Sequence, residues 1–468
     1  MKNITLSDIT IGENTIIKEA MRVIDLLGLR LVYIVDKENK LLGVVSDSEI
    51  RKAIIKGVDI KEKVTGILNP APLVLKSEDL KNPYQRSRMV RELRKKMPGS
   101  EYILVVDKDN HPTELIPLKN LDIKLLNGKH KNGGNNKHIL VVGGAGYLGS
   151  VLTEKLVERG YRVRILDLLM YGEESLKNIS KNKNVEVVKD DMRNISTLVK
   201  ALADIDAVVN LAALVGDPMC KDKPEMAIET NYLANKALAD AAKYHQINRF
   251  LYASTCSVYG ESDDDKELDE NASLNPVSLY ARSKIQSEEA LLDLQDENFA
   301  PTILRMSTLY GHSHRMRFDL VVNTMTKNAA IDKKITVFGG GKHWRPLLHV
   351  EDAADAYVKC LEAPLSKVKG EIFNVGSNLQ NFRIIDIANA VHKIIPDAEL
   401  SIEGENNDPR NYVVSFSKIE KTLEFKAVHS LESSITRMHR AITQGEIKDT
   451  NDPCYYNVKY NFHAKSEE

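Results

Sequence analysis

From His138 onward, short apolar runs alternate with longer stretches whose apolar residues recur at helical spacing. The runs are "HILVVGG", "RVRILDL", "VEVVKDD", "AVVNLAA", "RFLYAST" and "APTILRMS". Each is too short for a helix and each precedes an amphipathic segment, so the pattern predicts a doubly wound parallel sheet with helices on both faces. Before this region the rhythm differs. "LVYIVDKENKLLGVVS" and "YILVVDKDNHPTELIPL" each read as strand, Asp-Lys turn, strand, and begin 70 positions apart when counted from Leu31 and Glu101. Helical patterns precede both, "TIIKEAMRVIDLLG" and "SRMVRELRKKM", which predicts a duplicated α+β unit. Leu125 to His138 is polar, rich in Gly, Asn and Lys, and without periodicity. The chain therefore divides into an α+β domain over 1–125, a flexible linker over 126–137, an α/β domain over 138–445 with a smaller C-terminal substrate subdomain, and a loosely held polar tail over 446–468.

Composition adds little to this division but excludes several functions. The 468 residues are 43% hydrophobic with a formal net charge of −1, which gives no sign of a nucleic-acid or membrane partner. Through Lys137 there are 25 Lys and Arg against 18 Asp and Glu, and thereafter 40 against 48. A mildly basic module beside an acidic one fits two separate domains. Cys220, Cys256, Cys360 and Cys454 lie far apart without a CxxC pair, so neither a metal site nor a disulfide framework is expected. "MKNITLSDITIGEN" lacks the apolar core of a signal peptide and no apolar run approaches membrane-spanning length, which points to the cytoplasm.

The most informative stretch is "VVGGAGYLGS", which follows a strand and opens a helix. Gly143, Gly146 and Gly149 have the GxxGxxG spacing that permits a tight turn, close backbone approach to a pyrophosphate and close helix–strand packing at a positive helix N-terminus. Asp167 ends the next strand, eighteen residues after Gly149, where a carboxylate accepts hydrogen bonds from the adenosine ribose. No Arg or Lys follows directly in "DLLMYG" to hold a 2′-phosphate, which favours NAD over NADP.

Further along, "STCSVYG" is followed twenty residues later by "YARSK". With the glycine loop, "KDDMRN", "NLAA", "RMSTLYG" and "WRPLLHVEDAADA", these motifs resemble the extended short-chain dehydrogenases/reductases, in particular the nucleotide-sugar epimerases and dehydratases, over roughly His138 to Gly445. The resemblance implies a Rossmann-type domain binding NAD through Gly143, Gly146, Tyr147, Leu148, Gly149, Asp167, Asp191, Met192, Leu211, Ala212 and Ala213, with Tyr280 and Lys284 shared between cofactor and catalysis. It also implies a catalytic group of Thr255, Tyr280 and Lys284. A phenol with a pKa of about 10 is a poor base at neutral pH, and a neighbouring Lys284 ammonium together with a cationic nicotinamide would favour the phenolate. Lys284 follows Tyr280 by one helical turn, so both address one site.

Cys256 and Ser257 narrow the reaction. The family's 4,6-dehydratases carry Asp-Glu directly after the Thr, and the related decarboxylases keep a Glu there, because those reactions need further acid–base groups. Their absence leaves oxidation at the sugar 4-position, followed by return of the hydrogen to the other face or by release of a ketosugar. A 4-epimerase is the first expectation. A 4-dehydrogenase is the second, since "LAALVGDPMC", "RMRFDLVVN" and "DPRNYVVS" look like a branch that includes GDP-heptose 4-dehydrogenases. A silent nucleotide-sensing scaffold is the third, disfavoured by the intact catalytic group. A thiol nucleophile at Cys256 has no histidine signal beside it.

The same resemblance places Arg345, Arg410, Arg315 and Asn231 on the nucleotide-diphosphate sugar, where an arginine grips a diphosphate in bidentate fashion. The N-terminal duplication, chiefly "LLGVVSDSEIRKAIIKG", resembles a tandem pair of cystathionine-β-synthase (CBS) motifs. Such pairs bind AMP, ADP or ATP, here through Ser46 and Glu49, with Arg86, Arg88 and Arg91 near the phosphates. Both modules suggest a homo-oligomer, a dimer or larger.

Overall fold

The computed structural model describes residues 4–77, 102–117, 137–262, 266–405 and 408–457. They form two compact units, Met1–Lys131 and Asn132–Glu468. The helical pattern "SRMVRELRKKM", Arg86, Arg88, Arg91, most of the expected linker and the last eleven residues lie outside the described residues.

In the first unit, β1 (Thr10–Gly12) pairs parallel with β2 (Leu31–Val35), which pairs antiparallel with β3 (Leu41–Ser46). Helix α1 (Ile17–Leu27) precedes β2, and α2 (Asp47–Ile55) follows β3. The same pairing recurs in β4 (Leu75–Lys76), β5 (Tyr102–Val106) and β6 (Pro112–Pro117). The copies agree in detail. Asp36 and Asp107 each accept two backbone N–H groups in the turn, Asn39 and Asn110 each adopt positive φ (63° and 71°), and both ladders carry a bulge one residue before the turn Asp. The hairpins start at Leu31 and Tyr102, an offset of 71, one more than the strings suggested. Asp and Asn recur because a short amide or carboxylate can bond the turn backbone and tolerate left-handed φ.

The second unit is built on a seven-stranded parallel sheet. Its strands are β7 (His138–Val142), β8 (Arg162–Asp167), β9 (Val185–Lys189), β10 (Ala207–Asn210), β11 (Arg249–Thr255), β12 (Ala300–Met306) and β13 (Ile372–Val375). They lie in the order β13-β12-β11-β10-β7-β8-β9. All six apolar runs are strands of this sheet; the seventh, "IFNV", is too short to stand out. The order reverses between β7 and β10, and a crevice forms at such a switch point outside the carboxyl ends of the strands. Helix α3 (Tyr147–Glu158) leaves the glycine loop after β7, and α4 (Leu279–Asp293) carries Tyr280 and Lys284.

A separate apolar core, including Met325, Ile335, Val391, Ile435 and Met438, joins three helices and the strands Lys334–Phe338 and Glu399–Glu403 into the smaller subdomain. Residues 446–457, expected to belong to a loose tail, pack onto this core instead. Ile447 and Tyr456 are buried in it, and the Phe318 N–H donates to the Tyr455 carbonyl at 3.0 Å. The aromatic residues hidden among polar ones make that segment adhesive. Among the described residues no helix is long and apolar enough to cross a membrane.

Candidate active site

The glycine loop is shaped by contacts that admit no side chain. Gly143 has φ 84°, and a Cβ on Gly149 would stand 2.0 Å from the Gly143 carbonyl oxygen. Gly146 is less tightly constrained: its Cβ would meet the same oxygen at 3.3 Å. Asp167, at the end of β8, accepts the Ala145 N–H (2.9 Å) and the Leu169 N–H (2.8 Å), so it holds the loop while facing the crevice. Burial raises its pKa, and the two backbone donors work against that. A backbone cradle without side chains, opening a helix and flanked by a carboxylate, suits a dinucleotide.

These residues line a cavity of about 760 Å³. Every expected NAD residue borders it: Gly143, Gly146, Tyr147, Leu148, Gly149, Asp167, Asp191, Met192, Leu211, Ala212 and Ala213. Asp191 is held there by bidentate contact with Arg193. Thr255, Tyr280 and Lys284 border the same cavity, at the end of β11 and the start of α4. The register of α4 is set from beneath: Glu288, two turns after Tyr280, forms a buried ion pair with Arg305 of β12 (2.7 Å) and bonds the Ser254 hydroxyl of β11. Sequence reasoning missed this pair, although Tyr280, Lys284 and Glu288 share one face at i, i+4 and i+8.

Electrostatics differ from the expectation at Tyr280. In the chain alone burial pushes the phenol above its ordinary value, with Cys220 acting in the same direction, and the leading cation that opposes them is Arg317 rather than Lys284. The Lys284 Nζ lies 5.7 Å from the Tyr280 ring centroid and donates to the Ala253 carbonyl at 2.8 Å. Burial lowers the Lys284 pKa to about 8. The Thr255 hydroxyl accepts the Ser257 N–H at 3.1 Å, which leaves its own proton for a ligand.

Ser257 lines the cavity. Cys256 is buried behind it, with its thiol directed to the Arg305 carbonyl and its pKa raised by burial, so it is no nucleophile.

The expected substrate residues separate. Arg345 and Arg410 border the cavity and share Asp408, at 2.8 Å and 2.6 Å, while Arg410 also reaches Asp217 at 3.2 Å. Arg315 borders it from the dinucleotide side, against Tyr171. Asn231 does not border the cavity. Its amide bonds the Leu214 N–H (2.7 Å) and carbonyl (3.0 Å), fixing the loop after β10, so the substrate role expected for it is corrected to a structural one. Asp217, Arg317, Asp319 and Tyr412 also border the cavity, and sequence reasoning singled out none of them. Outside it, ring and carboxylate atoms of His349, Glu351 and His429 lie within 4.8 Å of one another. His349 there caps a helix by accepting the Glu351 N–H, and His429 pairs with Asp352.

In the N-terminal unit, Ser46 and Glu49 form a capping box at the start of α2: the Ser46 N–H donates to the Glu49 carboxylate at 3.1 Å, and the two side chains bond each other. This accounts for both residue types without a ligand.

Residues 139–376 match the NAD dependent epimerase/dehydratase family. The chain belongs to that family. Residues 2–56 of this family member match the CBS domain. Its relatives include a human dTDP-D-glucose 4,6-dehydratase, 29% identical over 58% of this chain and 78% of the relative. An uncharacterised UDP-glucose epimerase of Bacillus subtilis is 29% identical over 64% and 95%. Among solved structures, a UDP-glucuronic acid 4-epimerase from Bacillus cereus in complex with UDP-glucuronic acid and NAD is 26% identical, with a TM-score of 0.60 over 66% of this chain and 99% of that one. The enzyme is accordingly NAD-dependent, and the glycine cradle fits that cofactor.

Proposed function

We propose that the enzyme is a nucleotide-sugar 4-epimerase that oxidises the sugar 4-hydroxyl transiently. One observation carries this: Thr255, Tyr280 and Lys284 border one cavity with the glycine loop, while the two positions after Thr255 are the buried Cys256 and Ser257, neither of them a carboxylate. The glycine loop and Asp167 would hold NAD, which would supply a reversible hydride acceptor for the carbon-bound hydrogen. Tyr280 accepts the 4-hydroxyl proton and later returns it. Thr255 donates its free proton to the same sugar oxygen and fixes its position. Arg345 and Arg410 exchange part of their bonding to Asp408 for the diphosphate. Asp217, whose Oδ1 is buried without a partner among the described residues, accepts a sugar hydroxyl. Its other oxygen is held by Arg410.

The test uses a panel of UDP- and GDP-hexoses followed by NMR of the sugar protons. The 4-epimer of one of them is expected, without net change of cofactor, and Tyr280→Phe is expected to keep bound NAD while losing at least about a hundredfold in turnover. Accumulation of a ketosugar with stoichiometric NADH would contradict the proposal.

For the N-terminal unit we infer adenine-nucleotide regulation, supported by the CBS match; Ser46 and Glu49 would exchange their mutual bond for ribose hydroxyls. Calorimetric titration of the full chain with AMP and ATP is expected to show saturable binding that Glu49→Ala weakens. Heat changes indistinguishable from buffer for both nucleotides would end that inference.

A further inference from the structure

The C-terminal segment does more than pack. Its last described residue, Asn457, is buried and borders the cavity. The Asn457 Oδ1 accepts from Arg315 Nη2 at 2.8 Å, and its Nδ2 donates to the Val215 carbonyl at 3.3 Å. One amide thus ties the segment to the Arg315 loop and to the loop after β10. Just before this contact the segment is fixed to Phe318 by the Tyr455 ring, edge-on with centroids 5.7 Å apart, and by the Tyr456 ring at 6.4 Å, while the Tyr456 hydroxyl donates back to the Thr450 carbonyl (2.9 Å).

Arg315 is the unusual member. It is 5% exposed, yet no carboxylate pairs with it among the described residues, and its Nε is buried without a hydrogen-bond partner. Arg317 has Asp319, and Arg345 and Arg410 have Asp408. A buried, unpaired guanidinium is costly unless a ligand brings the opposite charge. Burial and the neighbouring Arg317 lower its pKa to about 10. Its guanidinium stacks on Tyr171, 3.7 Å from the ring centroid, in the loop that follows β8 and Asp167. It therefore faces the dinucleotide side of the cavity, close enough to Asp167 to act on that carboxylate electrostatically. A neutral amide holds it, so its charge stays available.

We propose that Arg315 is the counter-ion of the cofactor's pyrophosphate, and that Asn457 is a positioning residue through which the C-terminal segment straps NAD into the site. This moves Arg315 from the substrate, where its motif had placed it, to the cofactor. The proposal rests on the family's dependence on NAD and is independent of which sugar reacts.

The test compares NAD-stripped full-length wild type with Arg315→Met and Asn457→Asp, titrated with NAD, ADP and adenosine. The aspartate keeps the bond to Arg315 but neutralises its charge. Both variants are expected to bind NAD and ADP about ten- to a hundredfold more weakly and to release NAD faster, with adenosine affinity unchanged. Asn457→Ala, which frees the guanidinium without neutralising it, is expected to have a smaller effect. Unaltered NAD affinity in both variants would overturn the proposal, even with weaker sugar-nucleotide binding. An equal loss for adenosine would also overturn it, because that marks a deformed site rather than a missing counter-ion.

Discussion

Lys284 shows how a residue's cost and its use come from one feature. Its ammonium is buried, donates to the Ala253 carbonyl, and has no carboxylate partner among the described residues. Burial brings its pKa from 10.5 to about 8. The sign follows from proton binding: between about pH 8 and 10.5 the unfolded chain holds this proton more tightly than the folded one, so raising pH through that window stabilises the fold. Below about pH 8 both states are charged and the full penalty is present. Lys284→Met is therefore expected to be inactive but more stable than wild type at pH 7, by on the order of 1–3 kcal/mol, an advantage that fades by about pH 10.5. Unfolding curves of both proteins from pH 7 to 10.5 check this, and a variant less stable throughout would contradict it. Tyr280 and Lys284 were legible as residues because their spacing of four is local. Their electrostatics were not, since Arg317, Cys220 and Ala253 approach from other elements.

At the scale of elements, the glycine loop and α3 form a joint with unequal tolerances. The Cβ clearances of 2.0 Å at Gly149 and 3.3 Å at Gly146 rank the two positions. Gly149→Ala must separate α3 from the loop, at about 1–3 kcal/mol, and is expected to lower both the melting temperature and the NAD content of the purified protein. Gly146→Ala is expected to keep more of both; the reverse order would mean that the joint is misread. Strands were readable because short apolar runs satisfy a parallel sheet by themselves, buried in all but the edge strand β9. The capping box at Ser46 and Glu49 shows the opposite case, a local pattern that also has a purely structural use. What sequence left hidden were pairings across long separations: Glu288 with Arg305, Asn231 with Leu214, Asp408 with Arg345, and Asn457 with Arg315. No periodicity reports such pairs.

For the whole molecule, the catalytic unit is an NAD-dependent fold of its family, and the CBS domain lies in a separate unit. The change of rhythm and charge along the chain accords with two compact units, Met1–Lys131 and Asn132–Glu468. Residues 446–457 depart from the loose tail expected of their polar composition because Tyr455 and Tyr456 pack on Phe318 and Asn457 accepts from Arg315. The central claim is that one hydrogen leaves C4 and returns to the same carbon from the other side. The most direct measurement is turnover of the epimerised nucleotide hexose carrying deuterium at C4, followed by NMR and mass spectrometry. The expected result is a C4 epimer that retains the label at C4 with no deuterated NADH released. Label accumulating in free NADH beside a ketosugar, or lost to water, would contradict the account.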